Sequence, residues 1–131
     1  MDSVKQKSDK IKAVKPYDLE ERTFQFAFDV RQLTKKLKKI IGNIEDGKQV
    51  VRSSGSVGAN YIEANESIRK KELVLKIKAC RKESKESLYW LLLLDLDDQP
   101  DLNPTRAALV QKAQELMNIF GAIPKKTATD I

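Results

Sequence analysis

Between Leu19 and Ile44 a stripe of Leu19, Phe26, Val30, Leu33, Leu37, Ile40 and Ile44, with Thr23 filling the one polar gap, steps alternately by four and three residues. That alternation keeps one stripe of a 3.6-residue helix turned to a single side. It predicts a first helix from Asp18 to about Gly42, with Glu20 and Glu21 suiting its start and Lys35, Lys36, Lys38 and Lys39 its end through the helix dipole. Phe24 and Phe28 lie one turn apart beside the stripe and are expected to widen it. Asn43 to Gly47 reads as a turn.

A second stripe, Val50, Ser54, Val57, Tyr61, Ala64 and Ile68, predicts a helix from about Lys48 to Asn65. Inside it Gly55 and Gly58 each cost about 1 kcal/mol relative to Ala. Side chains this short let another helix approach closely, and the dispersion contacts so gained offset that cost. The opposite face, Arg52, Ser56, Ala59, Asn60 and Glu63, is low in charge for a solvated surface. Either it is ordinary surface with short side chains or a neighbouring subunit covers it.

The third helix is predicted from Ser67, read as its N-cap, to about Leu96, with Leu73, Ile77, Cys80, Ser84, Ser87, Leu91 and Leu94 as its core stripe. Leu75, Ala79, Trp90 and Leu93 lie well away from that stripe, with Tyr89 nearby. Exposed together, Tyr89, Trp90 and Leu93 form a patch of the kind that marks an interface. Lys71, Lys78, Lys82 and Lys85 line a face roughly opposite the core, and Glu72, Glu83 and Glu86 line another flank. Asn103-Pro104 is a cap followed by proline at the first helical position, so a fourth helix starts there. Its stripe is Leu109, Ala113, Leu116 and Phe120, widened by Val110 and Met117, and Gly121 and Pro124 are read as its stop.

Four amphipathic helices predict an all-α fold, a four-helix bundle over residues 17–123 whose stripes want antiparallel neighbours. Residues 1–16, with five lysines against two aspartates, read as a disordered or loosely docked basic arm, and 124–131 as a C-terminal tail. At 131 residues the chain fits one domain. No apolar run reaches the ~18 residues of a membrane span. Met1 to Lys15 has no apolar h-region, so the cytoplasm is the expected compartment. A single cysteine, Cys80, leaves no internal disulfide and is read as a small core residue.

The chain has no histidine, which excludes Ser-His-Asp and Cys-His sites and a histidine base. Glu63, Glu83 and Glu86 suggest a carboxylate metal pair, but in a bundle that site uses Glu-x-x-His motifs that this chain cannot supply. Gly55 and Gly58 lack the Lys-Ser/Thr of a phosphate loop. The expectation is a non-enzymatic protein with no catalytic, cofactor or metal site. A net charge of +6 permits binding to RNA or DNA.

Three segments, Arg52 to Ala64 (RSSGSVGANYIEA), Lys70 to Ala79 (KKELVLKIKA) and Lys82 to Leu91 (KESKESLYWL), resemble the bacterial four-helix-bundle family whose founders are encoded in intervening sequences of 23S ribosomal RNA genes. The resemblance spans about Tyr17 to Ile123 and is most specific in Ser-Val-Gly-Ala-Asn and Glu-Ser-Leu-Tyr-Trp-Leu. Arg52, Ser56, Asn60 and Glu63 match the family's second-helix pattern, and Glu83, Glu86, Tyr89 and Trp90 its third. It implies an antiparallel up-down-up-down four-helix bundle that assembles into a homopentamer, and no established reaction. A related group serves as accessory proteins of diversity-generating retroelements, where a basic pentamer associates with a reverse transcriptase and nucleic acid. The expected function is therefore an oligomeric accessory protein that associates with RNA or DNA through Lys71, Lys78, Lys82 and Lys85. The rival expectation is a protein-binding scaffold or adaptor. In both, Arg52, Ser56, Asn60, Glu63, Tyr89, Trp90 and Leu93 are the candidate interface.

Overall fold

Asp18 opens the first helix as its sequence suggests: its side chain accepts the backbone N–H of Glu21 at 3.2 Å, taking up one of the donors a helix start leaves free. From it run α1 (Leu19–Lys36), α2 (Ile41–Asn65), α3 (Lys70–Leu93), a 3₁₀ turn (Pro100–Leu102) and α4 (Asn103–Thr129). This computed structural model describes residues 18–129, so the basic arm, 1–16, lies outside the described residues. Each helix packs on its successor and α4 returns against α1. The result is the up-down-up-down bundle, with no strand among the described residues. None of these helices is long and apolar enough to cross a membrane.

The four stripes meet at the centre. Phe26, Val30 and Leu33 of α1, Val50 and Val57 of α2, Ile77 and Leu91 of α3, and Leu109, Leu116 and Phe120 of α4 are all buried. Small residues bring the helices together, as the glycines and serines of α2 suggested. A Cβ on Gly58 would come within 3.1 Å of Thr23 Oγ1 on α1. On the α3 side, the hydroxyls of Ser53 and Ser87 share a buried hydrogen bond at 2.8 Å. Cys80 is fully buried, and burial pushes its thiol up to about 12. A thiol held neutral at ordinary pH is packing material rather than a nucleophile.

Several boundaries differ from the sequence reading. α1 stops at Lys36, short of Gly42, and α2 starts at Ile41, ahead of Lys48. Asn43 to Gly47 is therefore helical, and Ile44 is exposed instead of continuing the α1 stripe. The break comes from distant partners: Gln99 receives the Lys38 N–H and donates to the Lys36 carbonyl, both at 2.7 Å. Ser67 does not cap α3; its hydroxyl donates to the Glu63 carbonyl at 3.1 Å, at the end of α2. Ile68, placed in the α2 stripe, falls in the link and is exposed. α3 ends at Leu93, before Leu96.

At the far end α4 continues through Gly121 and Pro124 to Thr129, where a stop and a tail from 124 were expected. Gly121 does not take the positive φ of a helix terminator. Its missing side chain instead leaves room for Arg81 Nε, 3.1 Å from where a Cβ would stand. Phe24 and Phe28 do not widen the α1 stripe either. The flank toward α2 is occupied by Arg31, which lies against Gly55 and donates to the Val51 carbonyl at 3.4 Å. The two rings stack with centroids 6.3 Å apart, and Phe24 is 47% exposed.

Candidate functional site

Lys71, Lys78, Lys82 and Lys85 all lie exposed on α3. Their spacing of seven, four and three residues keeps them on one helical face. None of the four is in an ion pair among the described residues. The same line takes in Leu75 within the stripe and continues past Lys85 to Tyr89 and Leu92, all three more than half exposed. A row of cations thus ends in exposed apolar surface. Leu75 was legible only as lying off the core, and Leu92 was missed, because a leucine run is read as core until neighbouring helices are in place.

Beside that end, Leu93 is also exposed, whereas Trp90 is half-buried against the core. Tyr89 meets the Trp90 ring edge-on, centroids 5.0 Å apart and planes at 77°. The core fixes Trp90, and Trp90 in turn orients Tyr89. The sequence grouped the two as equally free; the structure gives one as anchor and the other as surface.

A second surface follows the seam between α2 and α3. The hydroxyl of Ser56 donates to the Arg52 carbonyl at 3.0 Å, and Asn60 Nδ2 donates to the Ser56 carbonyl at 2.9 Å. These bonds turn both polar side chains back onto their own helix. Glu63 pairs across the seam with Lys76 at 2.6 Å, and the carboxylate holds the lysine above its ordinary pKa. Arg52 and Glu63 are exposed in the single chain, while Ser56 and Asn60 are half-buried. Glu83 is half-buried on the α3 side; its carboxyl is raised by burial first and by Glu86 next, with Lys82 and Arg52 opposing.

The sequence reading missed the lock at one end of the bundle. Asn43 is buried and bonded to the backbones of Lys38 and Asp95. Lys38 pairs with Asp98, and Arg106 Nη1 donates to the Leu94 carbonyl at 2.6 Å. Together with Gln99 these side chains tie the α1–α2 link to the α3–α4 link and satisfy carbonyls left free at the ends of α1 and α3. Nearby, a shallow groove of about 310 Å³ runs between α1 and α2, past Leu37, Ile44, Lys39 and Lys48. No signal within a single helix marks these residues, since their partners lie on other segments of the chain.

A comparison with curated proteins finds no match. Among solved structures, the chain is similar to a protein of unknown function of the S23 ribosomal protein family from Bacteroides thetaiotaomicron, at 24% identity and a TM-score of 0.69, over 81% of this chain and 97% of that one. At that identity the likeness bears on the fold alone, and it agrees with the bundle above. The family model described as 23S rRNA-intervening sequence protein matches residues 16–120, and the chain belongs to that family.

Proposed function

We propose that the protein is a non-enzymatic accessory bundle that assembles with copies of itself, as a pentamer, and associates with the phosphates of RNA or DNA through Lys71, Lys78, Lys82 and Lys85. The observation that carries the reading is the α3 row: four exposed cations on one face, none engaged by a carboxylate among the described residues. The family's link to ribosomal RNA genes supports a nucleic-acid partner. The stripe has no glycine-rich loop, and Tyr89 is its one exposed ring, so contacts to phosphate dominate and sequence selectivity is weak. Repetition of the stripe around an assembly multiplies modest contacts.

The test is binding to single-stranded RNA and duplex DNA across a salt series, for wild type and for the variant with all four lysines changed to Gln. Wild type binds at low salt, and each neutralised phosphate adds about 0.7 on single strands, or about 0.9 on duplex DNA, to the slope of log affinity against log salt. Equal affinity and slope in both proteins would sink the reading. It would leave the scaffold alternative, which the exposed Tyr89, Leu92 and Leu93 favour.

A further inference from the structure

One end of the bundle carries opposite charges on different sides. Lys39 and Lys48 stand at the groove between α1 and α2, where Leu37, Ile44 and Val51 supply the apolar lining. Ile44 is exposed there, and Ile41, one turn before it, is 82% exposed. The end of α3 and the link after it present the converse: Tyr89, Leu92 and Leu93 are exposed, and the exposed Asp97 and Asp101 follow. Neither aspartate is in an ion pair among the described residues, nor is Lys39, and Lys48 has only Glu45 at 3.8 Å. An exposed pair of that kind contributes little.

The two surfaces do not meet within one chain, since no α3 residue lines the groove. They do stand at one level. Asn43, in the first turn of α2, is bonded to Asp95 just after α3, and Lys38 beside the groove pairs with Asp98.

We propose that the lysine-rimmed groove between α1 and α2 receives the α3 end of a second copy, with Leu92 and Leu93 entering beside Ile44, and Asp97 and Asp101 meeting Lys39 and Lys48. This rests on the self-assembly in the function proposed above and names the surfaces that mate. Exposed apolar surface on both sides is what an interface covers, and the opposite rim charges fix which surface meets which. Groove on groove would set lysine against lysine, and α3 end on α3 end aspartate against aspartate. Because unlike surfaces meet, each copy fills one groove and offers its own, and the contact repeats from copy to copy until a ring closes. Copies standing parallel bring the two surfaces to the same height.

The full chain is tested with Ile44→Cys and Leu92→Cys, together and singly, treated with a short bismaleimide and run on a denaturing gel, with light scattering of the same samples. Both positions are exposed, so the core stays intact, and the native Cys80 is buried. The double variant should give a ladder running past the dimer, while each single variant stays a monomer on the gel. In a second arm, Asp97→Lys with Asp101→Lys should weaken assembly by roughly tenfold or more, and adding Lys39→Glu with Lys48→Glu to the same chain should restore it. Crosslinked dimers of Leu92→Cys alone, the mark of a like-to-like contact, would overturn the proposal. So would an assembled protein that gives no ladder, or a charge swap that fails to restore assembly. A wild-type chain that scatters as a monomer would overturn the proposal together with the self-assembly on which it rests, so the two failures are told apart by the scattering mass.

Discussion

Asn43 and Asp95 hold each other by a reciprocal pair of hydrogen bonds. Asn43 Nδ2 donates to the Asp95 carbonyl at 3.0 Å, and the Asp95 N–H donates to Asn43 Oδ1 at 2.8 Å. The two residues are 52 apart in sequence, and this contact joins the first turn of α2 to the link after α3. The same amide also donates to the Lys38 carbonyl at 3.1 Å.

Removing that amide leaves backbone groups unpaired at a site where Asn43 itself is buried. Asn43→Ala should therefore lower unfolding stability by roughly 2 to 4 kcal/mol. Asn43→Asp should also destabilise, because it sets a carboxylate oxygen against two carbonyls. Urea denaturation reads both. A change within about 0.5 kcal/mol for Asn43→Ala would show that water replaces the amide without loss.

That pair also shows what could be read from the chain and what could not. The α1 start was legible because Asp18 and the acidic first turn are local signals, and Asn103-Pro104 worked for the same reason. The α1 end was not legible. Leu37 to Ile40 contains neither Gly nor Pro, and lysines extend helices well, so nothing local breaks it. The break is held by Gln99 and Asn43, partners visible only in three dimensions. Gly42 and Gly47 misled in the opposite direction: both lie within α2, and Gly47 is buried beside Thr34. At the candidate site, the lysine row was legible from spacing alone. Its apolar continuation was not, because exposure of Leu92 depends on where α2 and α4 lie.

Gly55 and Gly58 of α2 face different neighbours and should respond oppositely to alanine. At Gly58 the new Cβ meets Thr23 Oγ1 at 3.1 Å and its Cβ at 3.4 Å. Thr23 cannot yield, since it is buried and its hydroxyl donates to the Leu19 carbonyl at 2.7 Å. Gly58→Ala should cost about 1 to 3 kcal/mol despite the better helix former. At Gly55 the neighbour is the far end of Arg31, which can move. Gly55→Ala should be neutral or gain up to about 1 kcal/mol. Melting temperatures of the two variants, compared side by side, decide this, and equal shifts would contradict it.

Cys80 links stability to alkaline pH. Its folded pKa is raised by burial to about 12, against about 8.5 for a free thiol. Above the free value the unfolded chain loses a proton that the folded chain keeps. The stability contributed by the neutral thiol is therefore full below pH ~8.5 and is lost as pH rises toward 12. The slope approaches about 1.4 kcal/mol per pH unit in that window. Denaturation of wild type and Cys80→Ala at pH 8, 9 and 10 should show the variant losing less with pH, and parallel curves would disprove the linkage. Thiol reagents at pH 8 should label Cys80 only as fast as the chain opens.

Lys85 and Tyr89 stand one helical turn apart, at the point where the cationic row gives way to exposed apolar surface. A partner subunit that covers Tyr89, Leu92 and Leu93 therefore comes close to Lys85 without needing to cover Lys71 or Lys78. On the proposed function, assembly and phosphate binding would then be separable on one helix. Leu92→Asp places a charge on a side chain that is 60% exposed in the single chain, so the monomer should fold and melt within a few degrees of wild type. In light scattering the variant should fall to a smaller species, because a buried unpaired carboxylate is costly at a subunit contact. Its affinity for long RNA should then drop by tenfold or more, through lost multivalency. Short oligonucleotides, which engage one chain at a time, should bind Leu92→Asp as they bind wild type. Changing the four lysines to Gln should do the reverse, keeping the assembly and weakening both long and short RNA. If Leu92→Asp leaves the scattering mass unchanged, the apolar end of α3 is not the subunit contact, and the α2–α3 seam around Arg52 and Glu63 is the surface to test next.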